Sequence, residues 1–167
     1  GPYLLPYIVP TLKVAFPDLE VFLYEAQTHQ LLEQLETGRL DCAIVATVPE
    51  TEAFIEVPIF NEKMLLAVSD EHPWAKEKKM SMNQLKATSL ETLRNMVSAN
   101  AGITFMPELA VLNEGARKGV KYIPCHSPEP SRTIALVYRP GSPLRNRYER
   151  VAGAISSEVK LILAGEK

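Results

Sequence analysis

Thr28-His29-Gln30-Leu31-Leu32-Glu33-Gln34-Leu35-Glu36-Thr37-Gly38-Arg39-Leu40-Asp41-Cys42-Ala43-Ile44-Val45-Ala46 is the stretch on which the fold turns. Leu31, Leu32 and Leu35 form an apolar stripe at helical spacing from about His29 to Thr37, and Gly38 is placed to close that helix in a left-handed cap. Leu40 to Ala46 then reads as a buried strand. Upstream, Val21-Phe22-Leu23-Tyr24 is β-branched and aromatic and reads as another strand. A strand, a helix and a strand joined by short connections predict parallel strands in a right-handed crossover.

The same order returns later in the chain. Thr88 opens a segment in which Leu90, Leu93, Met96 and Val97 form an apolar face, Gly102 ends it, and Ile103-Thr104-Phe105-Met106 follows as a strand stopped by Pro107. This echo predicts an α/β fold of two lobes with a cleft between them. Around it, Leu4, Leu5, Ile8, Val9, Leu12 and Phe16 suit a helix complicated by Pro6 and Pro10 and ended by Pro17-Asp18. Residues 54–58, 63–69, 120–123 and 133–138 read as separate strands, and 108–114 as a helix. Asp70-Glu71-His72-Pro73 and Lys76-Glu77-Lys78-Lys79 read as a solvated turn. After the break at Pro140-Gly141-Ser142-Pro143, Leu144, Tyr148, Val151, Ile155 and Val159 line one side of a last helix. The strands at 63–69 and 133–138 are placed to cross between the lobes.

Composition removes several classes of function. With 46% hydrophobic residues among 167, the chain can bury a core. A formal charge of -2 supplies no basic face for nucleic acid, so any DNA contact belongs to another part of the protein. No apolar run approaches the roughly 20 residues that cross a bilayer, which argues against a membrane role. The start at Gly1 rather than a methionine suggests an excised piece. Two cysteines, without CxxC or Cys/His spacing, form neither a disulfide scaffold nor a zinc site and suit a reducing, cytoplasmic setting.

The candidate chemistry sits at helix tips, where unpaired N–H groups and a partial positive charge gather. Thr28 and Thr88 occupy such positions, and each has a purely structural alternative as a helix cap. Glu91 gives Thr88 a capping-box spacing, whereas Leu31 gives Thr28 none. His29 adds a titratable group beside Thr28, or else a surface histidine. Arg132, just before the strand 133–138, could hold an anion on its planar fork or pair with Glu129 at the surface. Cys42 reads as a small buried thiol. Cys125 either shares that role or is a thiolate assisted by His126. No GxSxG, P-loop, HExxH or spaced carboxylate pair is present, so the reading is of a non-enzyme with no catalytic residue, no metal and no cofactor.

Residues 28–44 resemble the helix, glycine, leucine-aspartate, strand element of LysR-type effector domains. Ser89-Leu90-Glu91-Thr92-Leu93, with Val97, Ala99, Gly102-Ile103-Thr104 and Pro107, resembles their second-lobe counterpart. Gly1 to Pro6, Glu25 to Leu32, Glu52 to Pro58, Thr133-Ile134 and Val137 to Arg145 are similar to the peroxide-responsive group of that family. The resemblance implies a periplasmic-binding-protein-like fold, with lobe I at 1–63 and 134–167 and lobe II at 64–133. It also implies the regulatory domain of a cytoplasmic transcription regulator that senses hydrogen peroxide by thiol/disulfide switching and controls oxidative-stress genes. The implied assembly is a homodimer or homotetramer that meets promoter DNA through an N-terminal winged helix-turn-helix outside this chain and contacts RNA polymerase. Thr28, His29, Thr88 and Arg132 fall on or beside the peroxide pocket.

The sequence departs from that pattern at one place. The sensing Gly-His-Cys motif and the resolving cysteine belong between Trp74 and Thr88, yet Lys86 runs straight into Ala87, which places a missing segment at the 86/87 junction. Two alternatives stand beside the redox reading: a LysR-type domain binding a small carboxylate inducer at Thr28, Thr88 and Arg132, and a solute-binding transport protein of similar two-lobe plan.

Overall fold

The computed structural model describes residues 3–46, 53–76, 80–81, 95–114, 118–126 and 128–165. The chain forms two compact units, Gly1–Asn61 with Thr133–Lys167, and Glu62–Arg132.

In the first unit, helix α1 (Leu5–Ala15) carries Pro6 in its first turn, where a missing N–H costs nothing, and tolerates Pro10 one turn further on. Its buried Ile8 and Leu12 lie four residues apart, and it packs against α4 (Arg145–Leu163). Helix α4 buries Tyr148, Ala152, Ile155, Val159 and Ile162, an alternation of four and three that makes one stripe along 19 residues. The Arg150 guanidinium lies 5.2 Å from the centre of the Phe16 ring, over the end of α1.

Helix α2 (Thr28–Glu36) ends as the sequence predicts. Gly38 has φ +75°, its N–H donates to Leu35 O, and the Arg39 N–H reaches back to Gln34 O, closing a Schellman motif. Strand β1 (Cys42–Ala46) follows and buries Ala43 and Val45 against Leu35, Phe54 and Val137. Its partner is β6 (Ser131–Tyr138), antiparallel, in register from Cys42 opposite Tyr138 to Ala46 opposite Ile134. Arg139, just beyond β6, donates through Nη1 to Leu35 O and to Leu40 O, the latter at 2.8 Å. One side chain thereby ties the end of α2, the approach to β1 and the end of β6.

The expected parallel crossover is absent from the described residues. Val21 to Tyr24 forms no regular element and joins no ladder among the described residues, and Phe22 is 89% exposed. Four consecutive large residues give no apolar and polar face, so composition suggested a strand where alternation offered no buried side. The two strands expected at 54–58 and 63–69 form one continuous strand, β2 (Ile55–Ser69). Pro58 does not break it, because it lies at an exposed position near the strand's start.

The second unit is built on the latter half of β2. There it pairs antiparallel with β4 (Thr104–Pro107), Leu66 opposite Phe105, and with β5 (Val120–His126), Leu66 opposite Ile123. Strand β3 (Met80–Ser81) adds parallel to β5, with Met80 opposite Cys125. Leu66, Val68, Ile123 and Cys125 form the core, with Trp74, Ile103 and Phe105 against it. Helix α3 (Glu108–Glu114) leaves β4 directly and buries Leu109 and Ala110. The helical turn at 95–98 closes on Asn100 (φ 56°) rather than on Gly102. Asn100 N–H donates to Val97 O and Ala101 N–H to Met96 O, the same motif as at Gly38 with asparagine in the left-handed place.

Arg139→Ala removes two charge-assisted hydrogen bonds to the Leu35 and Leu40 carbonyls and should destabilise the first unit by about 2 kcal/mol. Arg139→Lys should recover only part of this, since an ammonium lacks the planar fork. Urea unfolding followed by circular dichroism measures both.

Candidate functional site

Thr28 is the first residue of α2, and His29 follows it. The capping role expected of Thr28 falls instead to Gln27, whose extended backbone (φ -69°, ψ 150°) precedes the helix. Gln27 and Gln30 form the capping box, with the Gln27 N–H donating to Gln30 Oε1 at 3.2 Å. Sequence reasoning missed this box because it sought serine or threonine at the cap. The consequence is chemical: the Thr28 hydroxyl is not committed to capping, and both Thr28 and His29 are exposed at the positive end of the helix. Thr88 lies outside the described residues.

Arg132 stands in β6 on the second unit's side of the division, with its side chain partly exposed. Its expected surface partner was Glu129. The structure gives it Glu62 instead: Nε at 2.8 Å and Nη2 at 2.7 Å both approach Glu62 Oε2. Glu62 is only 2% exposed. Glu129 pairs with Lys63 at 3.0 Å, out in solvent, and this raises the Lys63 pKa through the hydrogen bond and charge of Glu129. The correction has a simple cause. A carboxylate removed from water costs far more than an exposed one, so the fork goes to the buried group and leaves the surface glutamate to a lysine. Glu62 was missed because it falls in the gap between the strands expected at 54–58 and 63–69, where a charged residue reads as a turn, and only the continuous β2 puts it inside a strand. Thr28 and His29 thus belong to the first unit and Arg132 to the second, and each is placed by its own unit's strands and helices.

Neither thiol is set up for reaction. Burial first, and the Asp41 charge second, push the Cys42 thiol from 9.0 up to about 11. Cys125 is buried, its pKa is raised by desolvation and only partly lowered by a backbone hydrogen bond at Leu66, and its thiol reaches Ile123 O at 3.9 Å. The proposed help from His126 fails on strand geometry: along β5 Ile123 and Cys125 are buried while Pro124 and His126 are exposed, so the neighbours point to opposite faces. Among the described residues no three His, Cys, Asp or Glu side chains gather as metal ligands. No helix of the described residues is long and apolar enough to cross a membrane.

Comparison with known proteins adds the family. The family described as LysR substrate binding domain matches residues 1–88 and again 82–160. The chain is 74% identical over 200 aligned residues to the "Hydrogen peroxide-inducible genes activator" of Haemophilus influenzae, covering 100% of this chain and 66% of that protein. It is 52% identical over 192 residues to the "DNA-binding transcriptional dual regulator OxyR" of Escherichia coli, covering 95% of this chain and 63% of that one. The chain therefore spans a little under two thirds of the length of these curated relatives. Among solved structures, it superposes with a TM-score of 0.87 on the oxidized form of OxyR, at 49% identity, covering 96% of this chain and 91% of that one. The reduced form of OxyR also gives 0.87, at 52% identity, covering 95% and 90%.

Two measurements follow from this geometry. Arg132→Ala leaves the Glu62 carboxylate buried without its guanidinium and should cost about 3–5 kcal/mol in urea unfolding, whereas Glu129→Ala at the solvent-exposed pair should leave the unfolding midpoint nearly unchanged. Iodoacetamide labelling of Cys42 should be slow at neutral pH and climb about tenfold per pH unit, levelling only near pH 11, because the thiolate is the reacting form. The same raised pKa makes the folded protein hold that proton longer than the unfolded chain. Its contribution to stability is therefore complete below about pH 9 and lost as the pH rises toward 11.

Proposed function

The chain belongs to the LysR substrate-binding domain family, and from that membership we propose that it is the regulatory domain of a hydrogen-peroxide-sensing, DNA-binding transcription regulator of oxidative-stress genes. The observation that carries this reading is the 74% identity, running through the whole chain, to a protein named for peroxide-inducible genes. Likeness at equal TM-score to both an oxidized and a reduced OxyR supports a thiol switch as the signal. The relatives are regulators rather than enzymes, and their names favour regulation over transport and peroxide over a carboxylate inducer.

The proposed chemistry is an exchange at sulfur. A thiolate attacks one peroxide oxygen, the O–O bond breaks, and the sulfur becomes a sulfenic acid while the second oxygen leaves as hydroxide and takes a proton to form water. A second thiol then displaces the sulfenic oxygen as water and a disulfide forms. Cys42 and Cys125, with raised pKa values, are unsuited to the first step. Suitable thiols are proposed to lie in a segment inserted at the Lys86-Ala87 junction. Two hundred aligned positions against 167 residues mean that the Haemophilus protein carries at least 33 residues with no counterpart here, and the two family matches meet at 82–88, around the Lys86-Ala87 junction. Thr28, His29, Thr88 and Arg132 are proposed to line the pocket, offering donors to the thiolate and to the departing oxygen. The proposed lobes are 1–63 with 134–167, and 64–133. Oxidation would shift their arrangement in a cytoplasmic homodimer or homotetramer, whose promoter DNA and RNA polymerase contacts include a winged helix-turn-helix outside this chain.

In the complete protein with the intervening segment present, Thr28→Val should slow oxidation by peroxide about tenfold, the usual scale for one lost hydrogen bond to a charged transition state, with unfolding unchanged. Stopped-flow rates equal to wild type would remove Thr28 from the pocket. The 167-residue chain itself should keep both thiols titratable after peroxide treatment. Loss of promoter response in Cys42→Ser or Cys125→Ser would overturn the structural assignment of that thiol.

A further inference from the structure

Glu62 and Arg132 are the first and last residues of the second unit, 70 positions apart in the chain and held together by charged contacts of 2.7 and 2.8 Å. Two more ties lie beside them: Lys63 to Glu129 at 3.0 Å, and the Met64 N–H donating to Pro130 O at 2.9 Å. The run 62–64 is thus fastened to 129–132 at three successive points, where β2 and β6 pass between the units.

We infer that the Glu62–Arg132 pair is a clasp that closes the base of the second unit and makes it open and exchange as a unit separate from the first. The reasoning is one of local stability. A cooperative segment is delimited where its two ends are fastened to each other, and here a buried pair flanked by two further ties joins the ends of the stretch from Glu62 to Arg132. The pair withstands solvent because Glu62 is sealed from water, whereas Lys63–Glu129 is half exposed and screened. The fork contributes geometry as well as charge, since two of its nitrogens meet one carboxylate oxygen. Of the two strands that hold the core, β2 carries Glu62 at its middle and β5 ends at His126, three residues before Glu129. This device goes beyond the proposed function and stands whether or not that reading does, because it concerns only how one unit is closed.

Hydrogen–deuterium exchange read by mass spectrometry on the 167-residue chain tests it. In Glu62→Gln, peptides spanning 62–69 and 120–132 should exchange at least tenfold faster than in wild type, while those from 42–46 and 145–163 stay within twofold. Arg132→Lys, which keeps the charge and loses the fork, should accelerate the same peptides to a smaller degree, and it decides the matter if Glu62→Gln does not fold. Glu129→Ala should leave all four regions within twofold. Unchanged exchange in both clasp variants overturns the inference. So does equal acceleration in both units, the signature of a contact that merely adds to global stability, and so does a Glu129→Ala effect as large as that of Glu62→Gln.

Discussion

A carboxylate placed inside a protein must be answered by a cation held in good geometry, and in this chain Glu62 imposes that demand. It sits in β2 among the buried Ile59, Leu66, Ala67 and Val68, and the Arg132 guanidinium meets it there. The requirement fixes more than one side chain. Arg132 can reach Glu62 only if β6 begins beside β2 in the right register, and β6 is also the strand on which β1 pairs. Register in a sheet is otherwise set by alternating burial, which is weak where β6 is buried along 134–138 without alternation. A buried ion pair at one end supplies the missing discrimination, since a slip of one residue would turn the guanidinium to the opposite face. It adds specificity of arrangement where hydrophobic burial alone is permissive.

What was legible in the sequence followed from periodicity and from residues with special backbone geometry. Leu31, Leu32 and Leu35 marked α2, Gly38 marked its end, and Leu144 to Val159 marked the last helix. Those signals are local, and a local signal survives folding. Strand pairing is not local. Val21 to Tyr24 had strand composition and found no ladder, and β1 took an antiparallel partner some 90 residues later in the chain instead of the parallel neighbour expected of a crossover. The site divides in the same way. Thr28 and His29 are at a helix tip, as their position at the start of the leucine stripe implied, but the partner of Arg132 could not be read from spacing across 70 positions. Asn100 in place of Gly102 at a helix end shows a smaller version of the problem: asparagine tolerates the left-handed region well enough to take a role that the eye assigns to the nearest glycine.

The two thiols show why burial must be weighed before a cysteine is given a task. Cys42 and Cys125 each lie in a strand whose environment favours the neutral form, and the acidic neighbour Asp41 makes the Cys42 thiolate dearer still. A peroxide sensor needs the reverse: a thiolate at neutral pH, near donors, open to a small polar oxidant. The exposed tip of α2, with the Thr28 hydroxyl not used for capping, offers such donors, and the scaffold strands do not. The proposed division of labour therefore follows from dielectric environment as much as from likeness.

The equal match to two redox forms constrains where a switch can reside. This chain covers 91% of the oxidized OxyR chain and 90% of the reduced one, and it superposes on both at 0.87. A framework that fits both states equally cannot by itself be the element that distinguishes them, because a signal shifts an equilibrium only through parts whose interactions differ between the states. On the proposed reading, the discriminating element lies among the at least 33 aligned positions of the Haemophilus protein that have no counterpart here, and the matched residues form the frame against which it works. Such a part must resist deformation at the points where force would enter it. The fastening of residues 62–64 to 129–132 is placed to provide that resistance, since it couples both strands leaving the second unit and would have to yield before movement within that unit could separate its ends.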